Sequence, residues 1–434
     1  MNIVVLGAGM AGFGASYKLK ELKNGHKTDV YEKNSYIGGH ATSFHSDDGF
    51  IFDDGPHISF TKNKRIQEIF AENVGGRFEK LIASANNYWK GHWIKHPAQC
   101  NLYGLPSDLI VDVICDFVGA GQNQTENVSN YKEWLYASLG KTFAETFPMV
   151  YGKKYHTVDA EKMDIDWLGP RIYRPELREV LNGAFKPSTP DVHYIKDFRY
   201  PTDNGFVNYF SGFSQMADIH LDHKVTEIDT SENAIYFENG KRIEYDKLVS
   251  SIPLPEVVKL IRNTPEEVHD AVEKLACTNC VIVNFGVGRE DLSEAIWTYF
   301  YDEDISFSRI SFPHLMSPNN TPDGCGSVQC EVYFSKKYKP MKRRVEEVIK
   351  KARHDLVRTG VLKDKDEIIH ESYSYAPYAN VIFDLERKSA VKVVHDYLDN
   401  IGVHYCGRFG EWGYHWTDES FESGEKAVVN ALDE

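Results

Sequence analysis

Apolar residues recur along this chain with two periods, and the switches between them mark its elements. Residues 3–6, Ile-Val-Val-Leu, form a short continuous apolar run, the signature of a strand buried on both faces. A glycine-rich turn follows at residues 7–12, and the spacing then becomes helical to about residue 22. Residues 28–32 predict the next strand, so the chain opens as a βαβ unit. From 102 to about 181 the pattern is helical and aromatic with acidic turns, which predicts an inserted helical lobe. FRYPTDNGFVNYFSGF, residues 198–213, predicts a loop leading into a helix. HKVTEID, AIYFENGKRIEY and KLVSSIP predict short strands with a hairpin at Asn239-Gly240. Residues 280–288, 297–301 and 326–334 predict strands of a second sheet, and 341–358 a charged amphipathic helix. A late strand at 403–405 and a helix at 424–432 close the chain, and no internal repeat is present.

Length and composition narrow the class. The 434 residues are enough for two or three packed lobes, and 42% hydrophobic with 26% charged residues is the balance of a globular enzyme. A net charge of −15 argues against nucleic-acid partners and anionic membrane surfaces. The longest apolar stretch, around residues 109–118, is interrupted by Asp112 and Asp116, so no integral membrane segment is expected. The early strand leaves no room for a secretion leader, and seven scattered cysteines fit reduced thiols, so a cytoplasmic protein is expected. Cys277 and Cys280 form the one CxxC, without a second pair at ligand spacing, and no metal is expected.

The chemistry begins at GAGMAG, residues 7–12. It fits G-x-G-x-x-G between a strand and a helix. Gly7 allows the tight turn, and Gly9 lets the main chain approach a diphosphate beside Met10 and Ala11. Gly12 lets helix and strand pack closely. Glu32 lies at the end of the second strand, placed with Lys33 to meet ribose hydroxyls. Together these predict a Rossmann-type dinucleotide site.

A second glycine pair, Gly38-Gly39, follows in YEKNSYIGGHATSF with His40 and Ala41 behind it. This resembles the second fingerprint of FAD proteins of the amine-oxidase and glutathione-reductase type. The late Gly407-Arg408, followed by SGEKAV, resembles the closing flavin segment of the same superfamily, with Arg408 facing the flavin diphosphate. Val225 sits where these families contact adenine through main-chain atoms; an ordinary strand valine is the other reading. The resemblance implies FAD rather than NAD as the bound cofactor, with NAD(P)H as a candidate external reductant.

DDGFIFDDGPHISF, residues 47–60, adds a Gly-Pro turn carrying a histidine. With GGHATSF it resembles the opening of UDP-galactopyranose mutases. NNYWKGHWIKHPAQCNLYGLP, EKMDIDWLGPRI, FSRISFPHLMSP, PYANVIFDLER and GRFGEWGYHWTDESFESGEKAV resemble further segments of that family in the same order. The resemblance implies attack of reduced flavin N5 on an anomeric carbon, interconversion of pyranose and furanose forms of a nucleotide sugar, and a role in polysaccharide biosynthesis. It places Pro56, His57 and Ile58 on a flavin-side loop, with the His57 main chain near N5. Arg171 and Arg309 would clamp the diphosphate, as planar guanidinium forks suit phosphate oxygens. Tyr378 and Tyr414 would contact it too, and Tyr155 or His156 would stack on the base. Met316 stands where the family has a diphosphate tyrosine, Thr417-Asp418 near a family asparagine, and PYANVIFD runs about two residues long. These departures touch the sugar's identity more than the flavin fold.

The expected architecture is α/β: a Rossmann-type FAD-binding domain (1–84, 205–260 and 390–434), an inserted helical substrate lobe (100–190), and a second, mixed or antiparallel sheet domain (85–99, 191–204 and 261–389). The competing readings are an FAD-dependent oxidoreductase of the amine-oxidase or protoporphyrinogen-oxidase type and a non-catalytic flavin binder. His40, where those oxidases often carry arginine, counts mildly against the former. Oligomeric state is unreadable from the sequence.

Overall fold

The structure is a computed structural model describing residues 1–22, 28–121, 128–192 and 195–433. Residues 122–127, inside the span expected to be helical, and 193–194, inside the span assigned to the sheet domain, lie outside the described residues. A five-stranded parallel sheet runs in the order Val403–Tyr405, Lys247–Ser250, Ile3–Leu6, Thr28–Tyr31, Asp218–His220. Its central strand Ile3–Leu6 is fully buried, as its unbroken apolar run requires. Helix Met10–Glu21 crosses helix Thr417–Asp433 on this sheet. The close crossing depends on glycine: a Cβ on Gly14 would lie 2.0 Å from the Phe421 carbonyl oxygen, and one on Gly424 1.9 Å from that of Ala11.

A seven-stranded sheet forms the second layer, ordered Ile368–Val381, Cys277–Val287, Gly326–Ser335, Arg309–Ser311, Trp297–Phe300, Ala85–Trp89, His92–Lys95. One pairing, Trp297–Phe300 with Ala85–Trp89, is parallel and the rest are antiparallel. Strand Gly326–Ser335 is buried at every position, yet its faces differ in chemistry. Val328, Cys330, Val332 and Phe334 pack with Val348, Ala352 and Leu356 of helix Val345–Arg358. Gln329, Glu331 and Tyr333 alternate with them and point to the opposite side, as the two-residue period of a strand demands.

Helices Ser107–Ala120, Tyr131–Leu139, Lys141–Thr146, Pro148–His156 and Leu177–Phe185 make the helical lobe. Three elements differ from the sequence expectation. Residues 198–213 begin as strand Asp197–Pro201, paired with Phe78–Ile82, before two short 3-10 turns. The closing helix starts about two turns earlier, at Thr417, because its polar Ser420 and Ser423 are buried rather than solvated. Strand Ile368–Val381 was not expected; polar residues alternate along it and Pro377 interrupts it, which a sheet edge tolerates.

Candidate flavin and substrate cavity

A cavity of about 1030 Å³ lies among the parallel sheet, the seven-stranded sheet and the helical lobe. At one end its wall is mostly main chain. Gly7 takes φ +100°, and Gly9 begins helix Met10–Glu21 without any side-chain cap, so the N–H groups of its first turn are left for a ligand. Gly38 and Gly39 take φ +103° and +56°, a left-handed path that favours glycine. Gly38 N donates to Ala8 O at 2.8 Å, which sets the two glycine turns side by side. Glu32 is buried and accepts from Ala8 N and Asn34 N, both at 2.9 Å, so its carboxylate also braces the first turn. Gly407, at φ +78°, closes the cradle with its N–H on Ser423 Oγ at 2.7 Å. The uncapped helix start, the adjacent glycine turns and the buried Glu32 carboxylate behind them fit a dinucleotide flavin cofactor.

Gly7, Gly9, Met10, Ala11, Glu32, Lys33, Gly38, Gly39, His40, Ala41, Pro56, His57, Ile58, Val225, Gly407 and Arg408 all line this cavity. Gly12 does not. It sits one turn into the helix, where an added Cβ would lie 2.0 Å from the Gly7 carbonyl oxygen. Its role is close packing, not contact.

The DDGPH turn is organised from behind. Strand Ile51–Asp53 pairs with Ser43–His45. Asp53 is buried and accepts from Ser43 Oγ at 2.6 Å, Tyr200 OH at 2.8 Å and Phe206 N at 3.0 Å. Burial, opposed by these hydrogen bonds, pushes its carboxyl up to about 6. His57 is held by neither neighbouring aspartate; its Nδ1–H donates to Gly55 O at 2.7 Å. Burial, with the His40 charge adding to it, pushes the His57 imidazole down to about 3, so the ring stays neutral at ordinary pH.

The other end of the cavity is built from side chains. Tyr155, His156, Arg171, Arg309, Tyr378 and Tyr414 all line it. Arg309 faces Glu331 directly across a strand pair and makes a bidentate ion pair with it, Nη2–Oε1 being 2.9 Å. Tyr333 OH donates to the same carboxylate at 2.6 Å. Sequence reasoning missed Glu331; its one signal is a lone carboxylate in the apolar stretch GSVQCEVYFS. Arg171 donates to Trp167 O and Tyr414 O, both at 2.9 Å, and its Nε is buried without a partner.

Arg408, expected to face the flavin diphosphate, lines the cavity with its side chain against Tyr414. It donates to His415 O at 2.9 Å and Asn380 Oδ1 at 2.7 Å, and its guanidinium lies 4.3 Å from the Tyr414 ring centre. Arg171 lies 4.4 Å from the same ring. These contacts direct Arg408 toward the tyrosine end. Tyr155 OH bonds Asn380 Oδ1 and Tyr414 OH, both at 2.9 Å, and its ring stacks on Tyr151. His156 stands edge-on to Tyr155 and Trp167, with Nδ1 unpartnered. Burial, then the Arg408 charge, pushes its imidazole down to about 3. Tyr378 turns its hydroxyl to Glu256 Oε1 at 2.6 Å, so a carboxylate already holds the proton expected to meet a phosphate.

Cys277 and Cys280 share one strand with a register shift between them, and both thiols are free. Burial raises both well above the ordinary thiol range, which suits packing rather than redox exchange. Among the described residues no cluster of three or more His, Cys, Asp or Glu side chains is placed to hold a metal, and no helix is long and apolar enough to cross a membrane.

Two family models match the chain: an NAD(P)-binding Rossmann-like domain over residues 5–73 and flavin containing amine oxidoreductase over residues 203–428. Among curated proteins, a 4,4'-diapophytoene desaturase of Staphylococcus haemolyticus is 37% identical over 82 residues. That match covers 19% of this chain and 15% of the relative's own length. The structure of a reduced UDP-galactopyranose mutase superposes with a TM-score of 0.93 at 22% identity, covering 100% of this chain and 94% of that one. Wild-type putrescine oxidase bound to putrescine superposes with a TM-score of 0.67 at 13% identity, covering 100% and 99%. At such identities the superpositions establish the fold.

Proposed function

The chain belongs to the flavin-containing amine oxidoreductase family, and from that premise we propose that it is an FAD-dependent nucleotide-sugar mutase that interconverts pyranose and furanose ring forms. One observation carries the reading: Arg171 and Arg309 line the same cavity as the double-glycine cradle, on a wall rich in tyrosine. Reduced FAD, when bound, supplies a nucleophilic N5 for an anomeric carbon. The protein's own work is positioning. The glycine turns hold the dinucleotide with N–H groups at a helix start. Arg171 and Arg309 would neutralise a departing nucleoside diphosphate, and Tyr155 and Tyr414 would orient it through hydroxyls already linked to each other. His57 would offer its main chain to the flavin, since its imidazole is kept neutral.

In this reading the cofactor domain comprises 1–84, 205–260 and 390–434, with substrate enclosed by the helical lobe and the seven-stranded sheet. Seven free cysteines support a cytoplasmic setting. The sugar products would serve polysaccharide biosynthesis.

A second reading, an FAD-dependent oxidoreductase of the amine-oxidase or protoporphyrinogen-oxidase type acting on a sugar-related substrate, is favoured by the Arg309–Glu331 pair. That pair cancels a cation the mutase reading uses. The two separate on one experiment. The flavin is reduced with dithionite and UDP-galactofuranose is added; ring isomerisation that occurs only in the reduced state supports the mutase. Two-electron oxidation of an amine or porphyrinogen with peroxide release, and no isomerisation, supports the oxidoreductase.

A further inference from the structure

The cavity wall holds one carboxylate–histidine pair that the reading above leaves idle. His40 Nδ1 lies 3.0 Å from Asp54 Oδ2, and Asp54 Oδ1 accepts from Ser374 Oγ at 2.7 Å. Both residues line the cavity. Their main chains are fixed as well: Asp54 N donates to Thr42 O at 3.0 Å, and the left-handed Gly38 and Gly39 set the position of His40. Burial opposes ionisation of Asp54, but the hydrogen bonds from His40 and Ser374 outweigh it and hold the carboxyl below its ordinary range. An ionised Asp54 accepts the Nδ1 proton, which fixes the His40 tautomer and leaves Nε2 as its basic atom. The neighbouring His57 ring, 5.4 Å away, has its Nδ1–H on Gly55 O, a neutral acceptor, and burial keeps that ring from taking a second proton, so it does not share this role.

The groups around the pair come from four elements. His57 stands on the same turn, Ser374 on the edge strand, and Tyr36 on the segment before the glycine pair. Arg408, on the closing segment, acts on His57. Asp53, next in the chain, and Cys280 also feel the Asp54 charge, but the Asp53 oxygens are taken by Ser43, Tyr200 and the Phe206 N–H, which leaves Asp54 as the carboxylate on His40 Nδ1.

We propose that His40, oriented by Asp54, is the acid–base residue of this cavity, its Nε2 carrying the proton that must move when a sugar changes ring size. This rests on the mutase reading. Nε2 first takes the proton that the attacking nucleophile loses on bonding to C1, and hands it back when that bond breaks at the end of the cycle. On opening, the electron pair of the bond between C1 and the ring oxygen goes to that oxygen, which takes the proton from Nε2, while the nucleophile's lone pair makes up the deficit at C1. On closure, a lone pair of the other hydroxyl oxygen forms the new bond to C1, and that hydroxyl's proton returns to Nε2. Each proton taken is given back, with no net oxidation.

The test uses FAD-loaded protein and the variants His40→Asn and Asp54→Asn. Both should keep their flavin. On reduced protein with UDP-galactofuranose, His40→Asn should lower kcat by about 100-fold or more with little change in KM, and remove the acidic limb of the pH profile. Asp54→Asn should lower kcat less and shift that limb. Histidine ¹⁵N NMR of the oxidised wild type should show His40 protonated on Nδ1, a state lost in Asp54→Asn. An unchanged pH profile in His40→Asn, or an Nε2-protonated His40 in wild type, would overturn the proposal. Wild type that isomerises no nucleotide sugar would instead sink the mutase reading; the NMR arm would still decide whether the pair is a tautomer-fixed couple.

Discussion

At the glycine end of the cavity the wall is main chain, and its shape follows from where a Cβ is missing. At the tyrosine end the wall is side chain, and its shape follows from which ring or charge meets which across long stretches of sequence. Gly9 and Gly38 meet through turns joined by one βαβ unit. Tyr155 and Tyr414 meet 259 residues apart, and Arg309 meets Glu331 only because two strands pair in one register. The first kind of site is intolerant of any added atom but indifferent to charge. The second tolerates changes of shape but not the removal of one member of a pair.

The largest effect on cofactor binding should come from adding one carbon at the glycine end. Gly12→Ala and Gly424→Ala each push a Cβ into a carbonyl oxygen that helix packing holds in place. We expect flavin affinity to fall by at least about tenfold, within the roughly 1–3 kcal/mol that overpacking costs. Flavin absorbance of the purified variants checks this, and full flavin content would contradict a main-chain-built cradle.

The largest effect on stability should come from the broken pair. Arg309→Met leaves Glu331 buried without its cation, which should cost about 3–5 kcal/mol by denaturant unfolding. The double variant Arg309→Met, Glu331→Gln should recover most of that loss and keep its flavin. Equal destabilisation of single and double variants would show that the two residues do not act as a unit.

The two ends also share a pH response. His57 and His156 are neutral in the folded protein down to about 3, whereas the unfolded chain protonates histidine near its ordinary 6.5. Between those values the unfolded state binds more protons. Stability is therefore complete above about 6.5 and falls as pH drops toward 3, by about 2 kcal/mol per histidine at pH 5. His156→Phe should flatten its share of the acid-side fall in Tm, and an unaltered slope would mean that the buried imidazole does titrate.

The smallest effect is expected at the linked hydroxyls. Tyr155→Phe removes two hydrogen bonds from a wall whose rings remain packed, worth about 1 kcal/mol. A few-fold rise in KM with unchanged flavin content is the expected result, and lost flavin would place Tyr155 at the wrong end.

The same contrast explains what the sequence could disclose. Spacing fixes a glycine turn, because Gly7, Gly9 and Gly12 act within one strand–helix junction. The family-level fold was legible on that ground, together with the order of later segments. Glu331 was not, because its meaning depends on strand register, and a carboxylate in an apolar run has no local partner to announce it. Arg408 is legible as a cavity residue from its Gly-Arg motif, but its contacts to Asn380 and Tyr414 are not, because they join distant parts of the chain. His57 drew attention as the titratable group of the DDGPH turn. The structure keeps it neutral and gives the carboxylate to His40 instead, a pairing 14 residues apart that only the folded turn brings together.

In the proposed function both ends of the cavity serve one ring-changing reaction on a nucleotide sugar. The most direct measurement is a chromatographic screen of nucleotide sugars against the dithionite-reduced, FAD-loaded protein, with the oxidised protein beside it. The account predicts conversion between pyranose and furanose forms of at least one nucleotide sugar in the reduced sample alone. No isomerisation with any of them, alongside net oxidation of an amine, porphyrinogen or sugar-related substrate, would contradict it.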